Sequence, residues 1–320
     1  MKVTDVIRKG DRKLLSLEIV PPTRGYSLDE ALDHTEQLMA FRPDFINVTA
    51  HQPHVVLEEK NGEVIRLQKS NKCGTVGVCS ALKHRLGIEA IPHVICGGNT
   101  RFDIEDKLID LNYLGFDNLF IVRGDPLPGH KTFTPPREGH EYASGLVRQA
   151  RNLNEGLYTS IQEKGVPTNF CIGVAGYPEK HYESFNRNKD LDHLSEKIEA
   201  GAHFVITQML FSATFYISFV DELLKRGLQI PVIPGIKPVT RLQSLKRIPG
   251  TFHIEIPQRL VSSLEAARTP AEEAKAGTEY MARLIRDLLD AGAPGIHIFT
   301  MGSGKSTQRL LETAFGKGGI

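Results

Sequence analysis

With 320 residues, 40% hydrophobic and 24% charged, the chain can bury a large core in one big domain or two small ones. A formal net charge of +1 gives no bulk electrostatic reason to expect nucleic acid or a membrane surface as partner. Residues 1–13 mix charges through every turn and lack a signal-peptide core, and no later apolar run approaches spanning length, so the cytoplasm is the expected location. Cys73, Cys79, Cys96 and Cys171 show no close ligand-type pair and read as reduced thiols, with no metal site expected.

From the N-terminus onward, β-prone runs alternate with amphipathic stretches. The first strand falls at 14–20, the first helix at 28–41 and the second strand at 44–50. A hairpin follows, 55–60 and 63–69, joined by Asn61-Gly62, a pair that tolerates the positive φ of a type I′ turn. Helix 75–86, strand 89–95, helix 100–114 and strand 118–123 continue the alternation. Residues 126–140 hold four prolines and read as a long loop over a binding face. Helix 142–163, strand 169–175, helix 191–200, strand 203–208, helix 213–226 and strand 231–236 come next. A helical segment from 240 with a long piece at 270–291, a strand at 295–300 and a helix at 305–315 complete the order. Gly115, Gly201 and Gly227 each stand just past the last helical turn, where a C-terminal cap needs glycine.

Eight βα units in a chain somewhat above ~250 residues predict a single (β/α)8 TIM barrel over 1–320, with the hairpin inserted after the second strand and extra helices. A doubly wound sheet is the alternative, weakened because no strand is followed by a Gly-x-Gly-x-x-Gly turn. Gly302-Ser-Gly-Lys-Ser-Thr307 resembles a P-loop, but Phe299 stands where the phosphate cradle needs its first glycine, and the segment follows the last strand. Its backbone amides can still hold a phosphate or a carboxylate.

Polar and titratable groups recur where the predicted strands end. The first strand gives Glu18, the second Thr49, the third His93, the fourth Arg123 and Asp125, the fifth Tyr177 with His181, and the sixth Gln208. Singly, each reads equally well as a satisfied turn or core residue. Six strand ends with such groups on one face are what a barrel active site requires.

The same residues lie in longer motifs: Ser16-Leu-Glu-Ile-Val-Pro-Pro22, Phe45-Ile-Asn-Val-Thr49, Pro92-His93, Arg123-Gly-Asp-Pro126 and Ala175-Gly-Tyr-Pro-Glu-Lys-His181. Ala200-Gly-Ala-His-Phe-Val-Ile-Thr-Gln208 and Ile233-Pro-Gly-Ile236 follow. In order and spacing this set resembles methylenetetrahydrofolate reductase of the short prokaryotic type, from Leu15 to about Thr300. The resemblance implies a TIM barrel holding FAD. It further implies reduction of 5,10-methylenetetrahydrofolate to 5-methyltetrahydrofolate by NADH or NADPH in a ping-pong sequence, feeding methionine synthesis. A homo-oligomer is expected.

By that resemblance Glu18 is the general acid, in need of a raised pKa at a desolvated barrel mouth. Asp125 lies near flavin and pterin and stabilises the iminium cation. Gln208 binds folate and nicotinamide in turn, and Thr49 stands beside the substrate as well as the flavin. The flavin contacts implied are Thr49, His93, Arg123, Gly124, Asp125, Tyr142, Ala143, Tyr177, His181, Asp190 and Lys197. Arg123, His181 and Lys197 suit the pyrophosphate, and Asp190 a ribose or adenosine hydroxyl. Asp190 also reads as the N-cap of a helix starting at Leu191.

The chain departs from the family's pattern in three places. Phe299 replaces a frequent tyrosine, and Met301-Gly-Ser-Gly304 replaces a Leu-Asn-Arg-like run, which passes the folate's glutamate contact to Gly302–Lys305. A phenylalanine that lies against nicotinamide and pterin in relatives is expected to be aliphatic here, near Ile248. The alternatives are another flavin-dependent barrel dehydrogenase of proline or amine type, and a non-catalytic folate-binding subunit. Control through a large regulatory domain is not expected.

Overall fold

Short apolar runs bounded by turn residues become strands shielded on both faces, and the polar-faced stretches between them become helices. The chain runs α1 (Val3–Lys9), β1 (Leu14–Ile19), α2 (Leu28–Glu36), a 3-10 turn (Met39–Phe41), β2 (Phe45–Val48), β3 (His54–Lys60), β4 (Glu63–Lys69) and α3 (Thr75–Leu86). Then come β5 (Ala90–Ile95), α4 (Arg101–Tyr113), β6 (Asn118–Val122), α5 (Ala143–Asn154), β7 (Cys171–Gly176), α6 (Arg187–Glu199), β8 (Phe204–Met209) and α7 (Ala213–Lys225). The rest is β9 (Val232–Ile236), α8 (Leu242–Leu245), α9 (Ile248–Phe252), α10 (Gln258–Glu265), α11 (Pro270–Asp290), β10 (Gly295–Phe299) and α12 (Gly304–Phe315). This computed structural model describes residues 1–60, 62–127 and 129–316, with backbone alone for Glu30, Ala31, His54, Val55, Arg66 and Gln68.

Eight parallel strands close in the order β1-β10-β9-β8-β7-β6-β5-β2, which is the expected (β/α)8 barrel and leaves no room for the open-sheet alternative. β3 and β4 pair antiparallel outside it, as the hairpin after the second barrel strand. The type I′ turn expected at Asn61-Gly62 involves Asn61, which lies outside the described residues. Among the described residues no helix is long and apolar enough to cross a membrane.

Strand periodicity sorts the barrel interior into layers. In β1, Leu14 joins the lower core with Phe45, Ile91, Phe120 and Phe204, whereas Ser16 and Glu18, two and four residues on, face a polar layer above it. Each such buried phenylalanine or leucine contributes about 1.5–3 kcal/mol. The Phe204 ring lies over Gly173, where an added Cβ would come within 2.2 Å of it.

Several elements differ from the sequence reading, among them the helix expected at 28–41, which ends at Glu36 and is followed by the 3-10 turn Met39–Phe41. Residues 1–13 are not featureless: α1 plugs the lower end of the barrel, with Val3 at 1% exposure and its N–H donating to Asn118 Oδ1 at 2.9 Å. The helix expected at 142–163 stops at Asn154, because Gly156 turns at φ 77 and the buried Glu105 carboxylate accepts from the amides of Thr159 and Ser160. The helix expected at 191–200 begins at Arg187, capped by Asn186, which accepts from Lys189 N at 2.9 Å. Asp190 is therefore not the N-cap; it lies in the first turn and accepts from Ser184 Oγ at 2.9 Å.

Candidate active site

The C-terminal ends of the barrel strands surround a cavity of about 1000 Å³. Glu18, Thr49, His93, Arg123, Gly124, Asp125, Tyr177, His181 and Gln208 all line it, so nine of the singled-out residues share one wall. Tyr142, Ala143, Asp190 and Lys197 do not line it. They lie on α5 and α6 or at the N-terminal end of α5, where the Tyr142 ring stacks on His193 at 5.8 Å.

Glu18 is held between two buried histidines, with its Oε2 3.6 Å from His93 Nε2 and 3.7 Å from His297 Nε2. Only 13% of its side chain meets solvent. Beneath it, His297 Nδ1 lies 3.0 Å from Ser16 Oγ and 3.2 Å from Asn47 Nδ2. With the Asn47 amide nitrogen, a donor only, set against Nδ1, that ring nitrogen is assigned as the acceptor, which assigns the proton to Nε2, facing Glu18. His93 behaves differently. Burial pushes its pKa down to about 4, so despite the ion-pair distance it is neutral, and its Nε2 has no hydrogen-bond partner.

Along the rim, Arg123 Nη1 pairs with Glu183 Oε2 at 2.5 Å and its guanidinium lies 4.8 Å from the Phe133 ring centroid. Gly124 takes φ 91, which a side chain would resist, and turns the backbone toward Asp125. The Asp125 side chain is exposed at the edge of the cavity, and its carbonyl accepts from Gln52. Gln208 sits at a register shift between β8 and β9, where Ile206 pairs with Ile233 but Met209 with Gly235. That irregularity re-aims the side chain, and its Oε1 accepts from Met209 N at 2.9 Å, leaving the amide nitrogen free to donate.

One wall is a run of rings: Tyr177 meets His181 at 4.6 Å, His181 meets Tyr182 at 4.7 Å, and Tyr182 stacks on His253 at 4.8 Å. Behind it, the Lys197 ammonium lies 6.0 Å from the Tyr177 centroid and donates to the Ala175 carbonyl at 2.5 Å. The Lys197 stem reaches solvent while the charged end is packed inward, and burial lowers its pKa to about 8. Burial also lowers His181, whose Nδ1 accepts from Glu183 N at 3.3 Å.

Sequence reasoning missed His297, Glu183, Tyr182 and His253. The alternation Leu14, Ser16, Glu18 marks the inward face of β1, and the same alternation in β10 points His297 inward, a signal open to strand patterning. Nothing local signals that Glu183 meets Arg123.

A profile of methylenetetrahydrofolate reductase matches residues 2–315. The chain belongs to the methylenetetrahydrofolate reductase family. Over 94% of its length it is 30% identical to a probable methylenetetrahydrofolate reductase (NADPH) of Caenorhabditis elegans, covering 42% of that protein. Over 93% of its length it is 27% identical to the 5,10-methylenetetrahydrofolate reductase of Salmonella typhimurium, covering 90% of it. The chain spans about half the length of the eukaryotic curated relatives it matches. A solved structure described as an uncharacterized protein from Clostridium thermocellum that binds two copies of 5-methyl-5,6,7,8-tetrahydrofolic acid shares the fold. Its TM-score is 0.59 at 14% identity, covering 98% of this chain and 97% of that one.

Two expected departures from the methylenetetrahydrofolate reductase pattern meet different fates. Phe299 does line the cavity, edge-on to His297 at 4.8 Å. Ile248, near which the aliphatic replacement was expected, is 3% exposed in the core, and Phe252, one turn later in α9, supplies an aromatic ring to the cavity. A four-residue step along a helix is too short to judge from spacing when the helix itself is only five residues long.

Proposed function

We propose that this protein reduces 5,10-methylenetetrahydrofolate to 5-methyltetrahydrofolate, with FAD as its bound flavin and NADH or NADPH as hydride donor. The two substrates take turns in one cavity, in ping-pong order. The observation that carries this reading is Glu18 at the cavity floor, nearly shielded from water and flanked by His93 and His297.

The residues fit a flavin on physical grounds. His93 Nε2 is buried and lacks a partner, Gly124 offers bare backbone at positive φ, and α5 begins without a side-chain cap, leaving amides for an anion. Thr49, His93, Gly124 and Asp125 would hold the ring system. Arg123, His181 and Lys197 would meet the pyrophosphate, with Tyr177 packed beside them and Tyr142, Ala143 and Asp190 toward the adenosine. Bound there, FAD supplies two-electron hydride storage.

On the substrate, Glu18 gives its proton to the bridging nitrogen, the carbon–nitrogen bond of the five-membered ring opens, and the resulting cationic methylene carbon accepts hydride. The Asp125 carboxylate offsets that positive charge, and more strongly once the ligand displaces water from the rim. The free Gln208 amide donates to whichever substrate occupies the cavity.

Glu18→Gln tests the assignment, because the amide keeps the shape and loses the acid. Reduction of the flavin by the nucleotide should proceed within about threefold of wild type, while the folate half-reaction should fall by on the order of 10²–10⁴-fold. Stopped-flow traces in which both half-reactions slow equally would remove Glu18 from this role.

A further inference from the structure

The proposed reaction needs the Asp125 charge in one place, yet that side chain is exposed on a loop, and among the described residues no hydrogen bond or ion pair holds its carboxylate. What is held is its backbone. The Gln52 amide nitrogen donates to the Asp125 carbonyl, and since a carbonyl only accepts, the Gln52 amide oxygen faces the other way, toward Gly97. A Cβ added to Gly97 would lie 2.3 Å from that oxygen and 3.0 Å from the Gln52 Cδ, so the side chain fills a notch that glycine leaves open.

The notch is braced from behind. Gly97 N donates to the Arg123 carbonyl at 3.0 Å, and Asn99 Nδ2 donates to the carbonyls of Ile95 at 3.1 Å and Gly97 at 2.8 Å. Beside it, Gly98 turns at φ 72, and a Cβ there would come within 2.9 Å of the Pro53 Cδ. Gln52 follows β2, Gly97 follows β5 and Asp125 follows β6, three strands adjacent in the barrel. One side chain thus ties three successive loops together at the wall of the cavity, which it also lines. Gly124 sets φ 91 ahead of Asp125, and the proline behind it disfavours helical backbone at Asp125. The direction of the Asp125 carbonyl is the freedom left, and Gln52 removes it.

We propose that Gln52 is a positioning residue for Asp125: seated in the Gly97 notch, it fixes the peptide from which the Asp125 carboxylate faces the cationic methylene carbon. The inference rests on the reaction proposed above. A charge set in place before the reaction avoids reorganisation at the moment the opposite charge develops, and its rate advantage lies there. A side chain that merely braced the loops would affect every step in the cavity alike. One that acts through Asp125 affects the step in which that carboxylate takes part.

Stopped-flow measurement of both half-reactions in the FAD holoenzyme tests this in wild type, Gln52→Ala, Gly97→Ala and Asp125→Asn. The double variants Gln52→Ala/Asp125→Asn and Gln52→Ala/Gly97→Ala complete the set. In Gln52→Ala, flavin reduction by the nucleotide should stay within about twofold of wild type, while the folate half-reaction slows roughly three- to tenfold and no further than in Asp125→Asn. Adding Gln52→Ala to Asp125→Asn should slow that step no more, because residues that act as a unit are not additive. Gly97→Ala, which drives a methyl group onto the Gln52 amide, should slow the folate step as Gln52→Ala does and lose that effect in the Gln52→Ala background. An unchanged folate rate in Gln52→Ala, equal slowing of both half-reactions, or the full further loss in the Asp125→Asn background overturns the positioning role and leaves the reaction standing. A wild-type protein whose reduced flavin gives no hydride to methylenetetrahydrofolate overturns the reaction and the role of Gln52 together.

Discussion

Lys197 shows how a single buried charge ties cofactor binding to pH. Burial holds its pKa near 8 instead of 10.5, so in the free protein the ammonium persists below about pH 8 and gives way to the neutral amine above it. The sign follows from linkage: its contribution to stability is present above pH 10.5 and is lost as pH falls through about 8. A phosphate beside the ammonium restores the charged form, so binding takes up a proton above pH 8. FAD affinity of the proposed holoenzyme should be flat below pH 8 and decline from there toward pH 10, with no such slope in Lys197→Met. Fluorescence titration at several pH values reads this directly, and a wild-type profile as flat as the variant's would contradict it. Asp125→Asn should slow the folate half-reaction, by on the order of tenfold for one exposed electrostatic contact, and shift the flavin potential. Single-turnover reoxidation by methylenetetrahydrofolate is the measurement, and an unchanged rate would refute the electrostatic role.

At the scale of elements, the barrel depends on glycines that let rings cross its interior. Gly173→Ala would drive a Cβ to 2.2 Å from the Phe204 ring, which is fully buried. Overpacking of this kind costs about 1–3 kcal/mol, and urea denaturation should show a midpoint lowered to match. An unchanged midpoint would mean the Phe204 ring can shift. The strands themselves were legible because β-prone runs stop at turn residues, and their observed limits fall within two residues of the expected ones. Helix ends were legible where glycine caps them, as at Gly115 and Gly227. The helix from 142 ran too far because helical patterning persists past Asn154, and only the distant Glu105 carboxylate shows where the chain turns. α1 was missed because seven residues of mixed charge gain their helical stability from packing on the barrel floor, a tertiary contact with no local sign.

The closed barrel explains why most of the site could be read and part of it could not. Strand ends point to one face whatever the ring order, so Glu18, Arg123, Asp125 and Gln208 were placed by counting strands. His297 reaches Glu18 only because β10 closes against β1, joining residues 279 positions apart in a chain of 320. Closure also depends on the plug below it. Val3→Asp would set a carboxylate against Phe45 and Phe204 in the lower core, and loss of about 3 kcal/mol or more of stability is expected. Thermal unfolding would reveal it as a lowered midpoint, and an unshifted one would mean α1 is dispensable. The account as a whole turns on one reaction in one cavity. Its most direct test is the visible spectrum of the purified protein, reduced anaerobically with NADH or NADPH and then mixed with 5,10-methylenetetrahydrofolate. The flavin absorption should bleach with at least one nucleotide and return with the folate, with 5-methyltetrahydrofolate formed in equal amount. A protein that takes up no flavin, or whose reduced flavin the folate leaves bleached, would contradict it.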